Sequence, residues 1–379
     1  MTPATATATA GAAQTAPKKI LMKGNEALAE SAIRAGCRCF FGYPITPQNE
    51  IAAYMSKRMP QVEGTYLQAE SEIAAINMVY GAAAAGARVM TSSSSPGISL
   101  KSEGISYLAA ADLPAVIVNI QRGGPGLGGI QPSQADYWQA TRAMGHGDFH
   151  IIVFAPSTVQ EMADMADVAF EVADRYRVPT MILADGLLGQ MMEPVVLPEG
   201  INPASLPGKD WALMGTGEVR PPHIVNSMRL IPNDLENTNT ERFERYETIK
   251  ANEQRAELYC TEDAEVVVVA FGACARVAKS AVDAAREAGL KVGLLRPIAL
   301  WPWPQNAIED LITKGKVKAF LSVEMSMGQM IDDIRLTLNG RLPIEFYGRS
   351  GGMIPEPAAV KDKLAELATR YGSAKGGDE

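Results

Sequence analysis

Residues 115–129 read AVIVNIQRGGPGLGG, an apolar run that is followed at once by a glycine-rich stretch. A second apolar run, IIVF, occupies residues 151–154. Continuous apolar runs of this length are typical of strands buried on both faces, and such strands occur mostly in parallel sheets covered by helices. The stretch therefore predicts an α/β fold, in which ligands gather at the carboxyl ends of the strands.

The same alternation continues on both sides of this stretch. Short β-rich runs alternate with segments whose apolar residues recur at helical spacing. The predicted strands are residues 38–43, 88–92, 115–121, 151–154 and 180–184, and the predicted helices are residues 25–35, 48–58, 72–85, 100–110 and 159–175. These elements predict a first doubly wound domain over residues 19–195.

The alternation of predicted strands and helices stops after residue 195 and starts again at about residue 261. Residues 196–260 form a proline-rich, charged linker, in which ERFERYETIKANEQRAELY (241–259) predicts a helix. A second alternating unit over residues 261–368 has predicted strands at 264–270, 291–295, 319–324 and 344–347 and helices at 276–288, 306–313 and 329–338. The fold class is thus α/β, with two doubly wound, mostly parallel open-sheet domains. We expect a disordered tail at 1–18 and a frayed tail at 369–379.

Composition excludes several classes of protein. The chain has 379 residues, a formal net charge of -8 and no basic run, which disfavours nucleic acid and anionic membranes as partners. No apolar run reaches the roughly 18–20 residues of a membrane span. Neither a signal peptide nor a disulfide framework is evident, so we expect a cytoplasmic protein. Since no C-x-x-C occurs among Cys37, Cys39, Cys260 and Cys274, we expect no cluster or metal on this chain.

The first candidate loop, YPITP (43–47), follows a predicted strand. Pro44 and Pro47 restrict the backbone around Thr46 and hold its hydroxyl and amide in one geometry. Gln48 then begins a helix, and the N-terminus of a helix favours an anion. The alternative is a rigid turn in which Thr46 simply caps the helix.

The second candidate is a pair of carboxylates, Glu70 and Glu72, at the start of an alanine-rich helix. The helix dipole favours a carboxylate in the first turn, so each glutamate can be explained as a surface cap. Small residues on both sides of Glu72 predict close packing, however, and a carboxylate in close packing needs a partner.

The third candidate is the serine-rich stretch TSSSSPG (91–97), which follows another predicted strand. The hydroxyls and amides of Ser94 and Ser95 can cradle a ligand. Lys101 lies on the next helix and either faces the pocket or is solvated. Only three histidines occur and none lies in a nucleophile motif, which disfavours a hydrolase.

The fourth candidate is the glycine-rich loop that begins at Arg122. Gly124, Gly126 and Gly129 match G-x-G-x-x-G, but Pro132 blocks a helix there and no acidic ribose ligand follows, so we reject a dinucleotide site. A loop that lets Arg122 reach a small anion is the functional interpretation, because a guanidinium suits a carboxylate. A solvated arginine in a flexible surface loop is the alternative.

Together and in order, these loops resemble one family, the 2-oxoacid:ferredoxin (acceptor) oxidoreductases. The segments that resemble it are YPITP (43–47), AESEIAA (69–75), TSSSSPG (91–97), IQRGGPGLGG (120–129), VEMSMGQM (323–330) and FYGRSGGMIP (346–355). The similarity covers roughly residues 19–365 and indicates an α-type subunit. It implies a thiamine-diphosphate pyrimidine-binding-like first domain and a transketolase-C-terminal-like second domain.

The resemblance also implies roles for the matching residues. Glu72, the catalytic residue, would hydrogen-bond the aminopyrimidine N1′ of thiamine diphosphate, whose electron-sink chemistry belongs to the cofactor. Cofactor contacts would come from Glu72, Ser94 and Gly124. The 2-oxoacid would be bound by Thr46, Arg122, Pro44, Pro47, Ser95 and Lys101.

The implied reaction is coenzyme-A-dependent oxidative decarboxylation of a 2-oxoacid to acyl-CoA and CO2, with electrons passed to [4Fe-4S] clusters. The sequence has no G-D-G…N-type segment for Mg²⁺ and diphosphate and no cysteine sets for clusters. We therefore expect Mg²⁺, clusters and coenzyme A on or with β-, γ- and ferredoxin-like δ-type subunits, and thiamine diphosphate shared with the β-type subunit. External ferredoxin or a NAD-reducing subunit would be the acceptor, and this chain alone should be inactive.

The form GPGLGGIQPSQ (124–134) resembles the branched-chain (3-methyl-2-oxobutanoate) branch of the family. Gly126 and Leu127 stand where other branches carry hydroxyls, so an apolar branched-chain or aryl 2-oxoacid such as phenylglyoxylate is favoured. 2-Oxoglutarate fits if Lys101 or a partner residue supplies positive charge. Two alternatives are a transketolase-like thiamine-dependent dehydrogenase without clusters and a non-catalytic α/β scaffold.

Overall fold

The computed structural model describes residues 18–142 and 144–372 of the chain. The strands are β1 (Ile20–Lys23), β2 (Cys39–Gly42), β3 (Thr65–Gln68), β4 (Val89–Ser93), β5 (Val116–Gln121), β6 (Ile152–Phe154), β7 (Thr180–Asp185), β8 (Met192–Val195), β9 (Ala256–Tyr259), β10 (Val266–Val269), β11 (Val292–Pro297), β12 (Ala299–Trp301), β13 (Ala319–Glu324) and β14 (Ile344–Gly348). The helices are α1 (Gly24–Arg34), α2 (Asn49–Arg58), α3 (Glu72–Ala84), α4 (Ser95–Ala110), α5 (Tyr137–Thr141), α6 (Val159–Tyr176), α7 (Gly186–Gln190), α8 (Pro232–Asn252), α9 (Gly272–Glu287), α10 (Gln305–Thr313), α11 (Met330–Leu338) and α12 (Pro357–Tyr371).

The first sheet has seven strands in the order β12-β6-β7-β5-β4-β2-β3. All neighbours in it are parallel except β12 and β6, which are antiparallel. Strand β5 lies at the centre, and all six of its residues are buried, as its apolar run predicts. Helices cover this sheet. Because its strands β2, β3, β4, β5 and β7 are parallel, the loops that follow them lie along one edge of the sheet.

The second sheet has five strands in the order β14-β13-β10-β11-β9, and only β9 is antiparallel to its neighbour. Its strand β10 is a run of four buried valines. Strands β1 and β8 form a separate antiparallel pair. Two mostly parallel open sheets with covering helices confirm the predicted α/β fold class.

The linker differs from its prediction. Helix α8 begins at Pro232 rather than at residue 241, because proline suits the first turn of a helix, where its missing N–H costs no hydrogen bond. The helix ends at Asn252, and Ala256–Tyr259 forms the edge strand β9 instead of the last helical turn. This strand pairs antiparallel with β11, where Tyr259 lies opposite Leu294.

Strand β12 lies in the range expected for the second domain but joins the first sheet. Ala299 pairs with Phe154, so the strand covers the edge of β6 that would otherwise expose unpaired backbone groups. At the end of the chain, helix α12 continues to Tyr371, past the start of the frayed tail expected from residue 369, since Leu367 and preceding apolar residues anchor it. The disordered tail expected at the N-terminus lies outside the described residues, apart from Lys18.

The second unit packs on the segment that follows the glycine-rich loop. The Gln134 backbone N–H donates to the Met325 carbonyl at 2.9 Å, and its side-chain amide donates to the Phe271 carbonyl at 2.7 Å. The Tyr137 hydroxyl donates to Asp333 at 2.6 Å. The segment VEMSMGQM is thus a contact between the two units, and it braces the loop that carries Arg122.

Candidate functional site

Four neighbouring strands of the first sheet end at the candidate site. They lie in the order β5-β4-β2-β3 and are parallel, so their carboxyl ends share one edge of the sheet. The loops that follow them carry Arg122, Ser94 with Ser95, Thr46 and Glu72, in that order. The chain leaves β2 toward β3 and β4 toward β5, so a topological switch point lies between β2 and β4, where ligands bind in such folds.

Arg122 and Thr46 are brought together by backbone and side-chain contacts. Arg122 Nη1 donates to the Thr46 carbonyl at 3.1 Å, and Nη2 donates to the Leu127 carbonyl at 3.1 Å. The Nε atom of Arg122 is buried and has no hydrogen-bond partner among the described residues. A buried donor without a partner costs free energy, and a bound anion would satisfy it.

Ser95 ties the Arg122 loop to the start of helix α4. Its hydroxyl accepts the Arg122 backbone N–H at 3.0 Å and lies 2.6 Å from Asp136 Oδ2. Burial raises the pKa of Asp136, and hydrogen bonds from Ser95 and Asn119 oppose that effect. Ser95 has a φ of +20°, an unusual conformation for a non-glycine residue, at the sharp turn between strand and helix.

Asp136 and Asn119 are residues that the sequence analysis missed. Asn119 sits inside the apolar run of β5, where it accepts the Ser95 N–H at 3.2 Å and donates to Asp136 at 2.9 Å. A polar side chain within a strand buried on both faces must have partners. A lone asparagine in the apolar run VIVNIQ (116–121) therefore indicates a buried hydrogen-bond network, here the contacts of Asn119 with Ser95 and Asp136.

Glu72 is the first residue of α3, and its side chain is 6% exposed. It packs against Gly97 in the first turn of α4, where a Cβ atom would lie 2.7 Å from Glu72 Oε1 and 2.1 Å from Ser93 Oγ. Gly97, which the sequence analysis also missed, thus makes room for the carboxylate. The exposed neighbour Glu70 lies outside the helix.

Several buried polar atoms near Glu72 have no partner among the described residues. No hydrogen bond to the Glu72 carboxylate is formed there, and the hydroxyls of Ser93 and Ser94 are buried and unpaired. Ser71, which caps the helix by accepting the Ala74 N–H at 3.1 Å, does not reach the carboxylate. A ligand with polar hydrogens would satisfy these groups.

A cavity of about 620 Å³ opens beside Thr46 and Pro47. Its walls are mostly apolar and include side chains from the glycine-rich loop, helix α7 and the second unit, namely Ile130, Pro132, Leu187, Met191 and Ile354. The described lining contains one charged side chain, Glu50. Burial raises the pKa of Glu50, but hydrogen bonds from Gln190, Asn25 and Lys23 outweigh this and lower it.

Two of the expected site residues are not part of these contacts. Pro44 is exposed, and a Cβ atom at Gly124 would have no neighbour within 4 Å. The tip of the glycine-rich loop is exposed as well, with Leu127 84% exposed. The structure therefore separates the base of this loop, where Arg122 is half-buried and Gly123 is buried, from an open tip.

Lys101 is fully buried and lies away from the cavity lined by Thr46. Its ammonium group donates to Thr91 Oγ1 at 2.6 Å and to the Ser92 carbonyl at 3.0 Å. It follows Gly97 by one helical turn, so both face Glu72. Burial lowers the pKa of Lys101 to about 7, and the negative charge of Glu72 opposes this shift. Lys101 thus faces Glu72 from the buried side of α4 and does not line the cavity beside Thr46.

Replacing Lys101 with Met is expected to stabilise the chain below neutral pH. The pKa of Lys101 is lower in the folded chain than in the unfolded chain. Below pH 7 the lysine is charged in both states, so burying it destabilises the fold by the full amount, and this destabilisation disappears as the pH rises toward 10.5. We expect the melting temperature to rise by at least about 3 °C at pH 6, with most of this gain lost at pH 9.5. Calorimetry on the full chain measures it.

The control for Lys101→Met is Lys57→Met, which removes an exposed lysine of α2. This control should leave the melting temperature nearly unchanged at both pH values. A lower melting temperature of the Lys101→Met variant at pH 6 would contradict the prediction, since the hydrogen bonds to Thr91 and Ser92 would then outweigh the cost of burial.

Neither a metal-ligand cluster nor a membrane-spanning helix occurs in the described part of the chain. Residues 18–142 and 144–372 contain no group of three or more His, Cys, Asp or Glu side chains that could hold a metal ion. In the same residues, no helix combines the length and the apolar character needed to cross a membrane.

Comparison with family models gives two matches along the chain. Residues 30–258 match the thiamine-diphosphate-binding domain of pyruvate flavodoxin/ferredoxin oxidoreductases, and residues 264–360 match core domain II of pyruvate:ferredoxin oxidoreductase. Together they contain all four candidate loops and both motifs of the second unit.

Known proteins resemble the chain over most of its length. The ketoisovalerate oxidoreductase subunit VorB of Methanothermobacter marburgensis is 51% identical over 92% of this chain and 97% of its own. The 2-oxoglutarate synthase subunit KorA of Methanocaldococcus jannaschii is 37% identical over 90% and 97% of the two chains.

A solved structure supports the same relationship. The 2-oxoglutarate:ferredoxin oxidoreductase of Magnetococcus marinus, with 2-oxoglutarate, coenzyme A and succinyl-CoA bound, matches with a TM-score of 0.82 and 27% identity. The match covers 92% of this chain and 65% of that chain. A split-gene transketolase, at 13% identity and a TM-score of 0.57, shares the fold alone. The chain therefore belongs to the 2-oxoacid:ferredoxin oxidoreductase family, as an α-type subunit with the family's thiamine-diphosphate-binding domain.

Proposed function

We propose that this chain supplies Glu72, Thr46 and Arg122 to an active site that oxidatively decarboxylates a 2-oxoacid with an apolar side chain. The observation that carries the proposal is the arrangement at the sheet edge. A buried carboxylate, Glu72, has no hydrogen-bond partner among the described residues and packs against Gly97 in the first turn of helix α4. Ser95, in the same turn, bonds to Arg122, whose Nε atom is unpaired. The Glu72 carboxylate suits a cationic or N–H-bearing group, and the Arg122 guanidinium suits a carboxylate.

The residues around Glu72 fit the pyrimidine end of thiamine diphosphate. When bound, this cofactor supplies the electron sink for decarboxylation. Glu72 would accept a hydrogen bond from a ring nitrogen and exchange a proton with it, which a carboxylate 6% exposed can do without competition from water. The Ser94 hydroxyl, buried and unpaired, would bind the same group.

Arg122 and Thr46 would orient the substrate carboxylate. Two guanidinium nitrogens of Arg122 already donate to backbone carbonyls, which fixes the plane of the group, and Ser95 holds its backbone N–H. The Nε atom is the donor left for an anion. The Thr46 hydroxyl, which accepts only a weak bond from Asn49 at 3.3 Å, provides a second polar contact.

The cavity beside Thr46 supports an apolar side chain on the substrate. No Lys, Arg or His occurs in its described lining, and the only charge is the carboxylate of Glu50. A second carboxylate on the substrate, as in 2-oxoglutarate, would face apolar walls without a positive partner in the described lining, because Lys23 is already paired with Glu50 at 3.2 Å, and this is unfavourable. Lys101 cannot supply the missing charge from its buried place facing Glu72.

The relatives support the same substrate class. The relative at 51% identity is named for ketoisovalerate, a branched-chain 2-oxoacid, whereas those named for 2-oxoglutarate are 37% identical or less. We therefore place 3-methyl-2-oxobutanoate first, with aryl 2-oxoacids such as phenylglyoxylate as near substrates.

Other subunits would carry the parts of the reaction that this chain lacks. Subunit names among the relatives imply a heteromeric complex. We infer that β-, γ- and δ-type chains carry Mg²⁺, [4Fe-4S] clusters and the rest of the coenzyme A site. Electrons would then pass to ferredoxin or to a NAD-reducing subunit, and the cytoplasm would be the compartment.

The substrate is tested on the complex purified through a tag on this chain. Coenzyme-A-dependent viologen reduction is measured with 3-methyl-2-oxobutanoate, phenylglyoxylate, 2-oxoglutarate and pyruvate. We expect kcat/KM for 3-methyl-2-oxobutanoate to exceed that for 2-oxoglutarate by at least about 100-fold, since a buried carboxylate without a partner is strongly disfavoured. A preference for 2-oxoglutarate would overturn the substrate assignment, and no activity with any of the four would overturn the proposed function.

A further inference from the structure

The extended segment before helix α8 exposes an unusual number of apolar side chains. Five of them lie within 13 consecutive positions and are at least 60% exposed, namely Val219, Ile224, Met228, Leu230 and Ile231. Single exposed apolar side chains are ordinary on protein surfaces, but a cluster of them marks a surface that another molecule covers. The segment leads directly into a groove on α8.

This groove has a volume of about 880 Å³ and follows the outer face of α8. Its apolar part consists of Leu235 and Phe243, which are 44% and 39% exposed. Its acidic part consists of Asp148, Glu236, Glu244 and Glu247. The opposite face of α8 is buried through Arg242, Tyr246 and Ile249, so the groove lies on the exposed face of a packed helix.

Three of the four carboxylates in the groove have no ion-pair partner in the described chain. None of its described lining residues is Lys, Arg or His. Glu247 pairs with Lys250 at 2.7 Å, whereas Asp148, Glu236 and Glu244 form no ion pair among the described residues. Apolar side chains flanked by unpaired carboxylates are complementary to a segment that has both apolar and basic side chains.

We propose that the groove on α8 binds a basic amphipathic segment of another subunit of the oxidoreductase complex. A second copy of this chain is the poorer occupant. Identical subunits usually meet through the same surface on both, which would set these carboxylates against one another. The formal net charge of -8 adds to that repulsion. A basic segment gains from both the charge and the apolar floor, independently of which 2-oxoacid the enzyme uses.

The test labels exposed carboxylates with a carbodiimide and glycine ethyl ester, in the intact complex and in the isolated full-length chain. We expect Glu236 and Glu244 to lose their labelling in the complex, while Glu241, exposed on the same helix but outside the groove, is labelled equally in both. Carbodiimide alone should then cross-link groove carboxylates to lysines of another subunit. Equal labelling of Glu236 and Glu244 in both samples, or cross-links only between two copies of this chain, would overturn the proposal.

A pair of charge reversals provides a second test. Glu244→Lys should lower the NaCl concentration at which the partner dissociates by about twofold or more, because it places a like charge against the basic segment. Glu241→Lys makes the same change of charge on the same helix and should leave that concentration unchanged. Native mass spectrometry follows dissociation, and equal salt sensitivity of the two variants would overturn the proposal.

Discussion

The Glu72→Gln variant is expected to lower the turnover of the assembled oxidoreductase by about 10²–10⁴-fold, because a carboxamide cannot take up or return a proton. The carboxylate is 6% exposed and receives no hydrogen bond from the described chain, so its replacement by an uncharged group of the same shape should leave the fold intact. Viologen reduction at saturating 2-oxoacid and coenzyme A measures the effect on kcat.

Glu70→Gln is the matched control for this prediction. Glu70 lies two positions earlier, is exposed and precedes the helix, so the same chemical change should leave kcat unaltered. Wild-type turnover in the Glu72→Gln variant, with subunit composition and melting temperature unchanged, would remove Glu72 from the chemistry. The non-catalytic scaffold would then be the better description of the chain.

The Gly97→Ala variant is expected to lose about 10²-fold in kcat, although Gly97 need not touch substrate or cofactor. The added methyl group would lie 2.1 Å from Ser93 Oγ and 2.7 Å from Glu72 Oε1, distances at which atoms must move. Displacement of the carboxylate should account for most of the lost rate. Overpacking should also lower the free energy of unfolding by about 1–3 kcal/mol.

Gly81→Ala provides the comparison, because it makes the same change in helix α3 at a position where the new methyl group meets nothing within 4 Å. Alanine is the better helix former, so this variant should be more stable by up to about 1 kcal/mol and fully active. Unfolding by urea and steady-state assays separate the two effects. Full turnover in the Gly97→Ala variant would show that Glu72 tolerates displacement.

The sequence predicts strands β4 to β7 of the first sheet well because they are buried on both faces. The run at residues 116–121 cannot be solvated, and its observed bounds differ from the prediction by one residue. Strands β3 and β9 were not predicted, since their short runs TYLQ and AELY are exposed or half-buried and lie at sheet edges. The pairing of β12 with β6 depends on a contact between distant parts of the chain, which no local pattern encodes.

In the site too, local patterns predict some features, whereas others depend on contacts between distant parts of the chain. Loop position after predicted strands indicates that Thr46, Ser95 and Arg122 approach one edge of the sheet. Glu72 follows strand β3, which was not predicted, and the topology brings its loop to the same edge. The burial of Lys101 was missed because the helix α4 begins five residues before its predicted start and is covered on that face. Lysine is usually solvated, so residue type alone favours an exposed Lys101. Its burial results from packing of α4 against strand β4, to which its ammonium group donates.

The pairing of β12 with β6 has a consequence for synthesis of the chain. Strand β6 ends at Phe154, but its partner begins only at Ala299. While the ribosome makes the intervening residues, the first sheet has an open edge that can pair with other nascent chains. The first half of the protein therefore completes its fold only after most of the second half has emerged, and truncated products that end before Ala299 should be prone to aggregation.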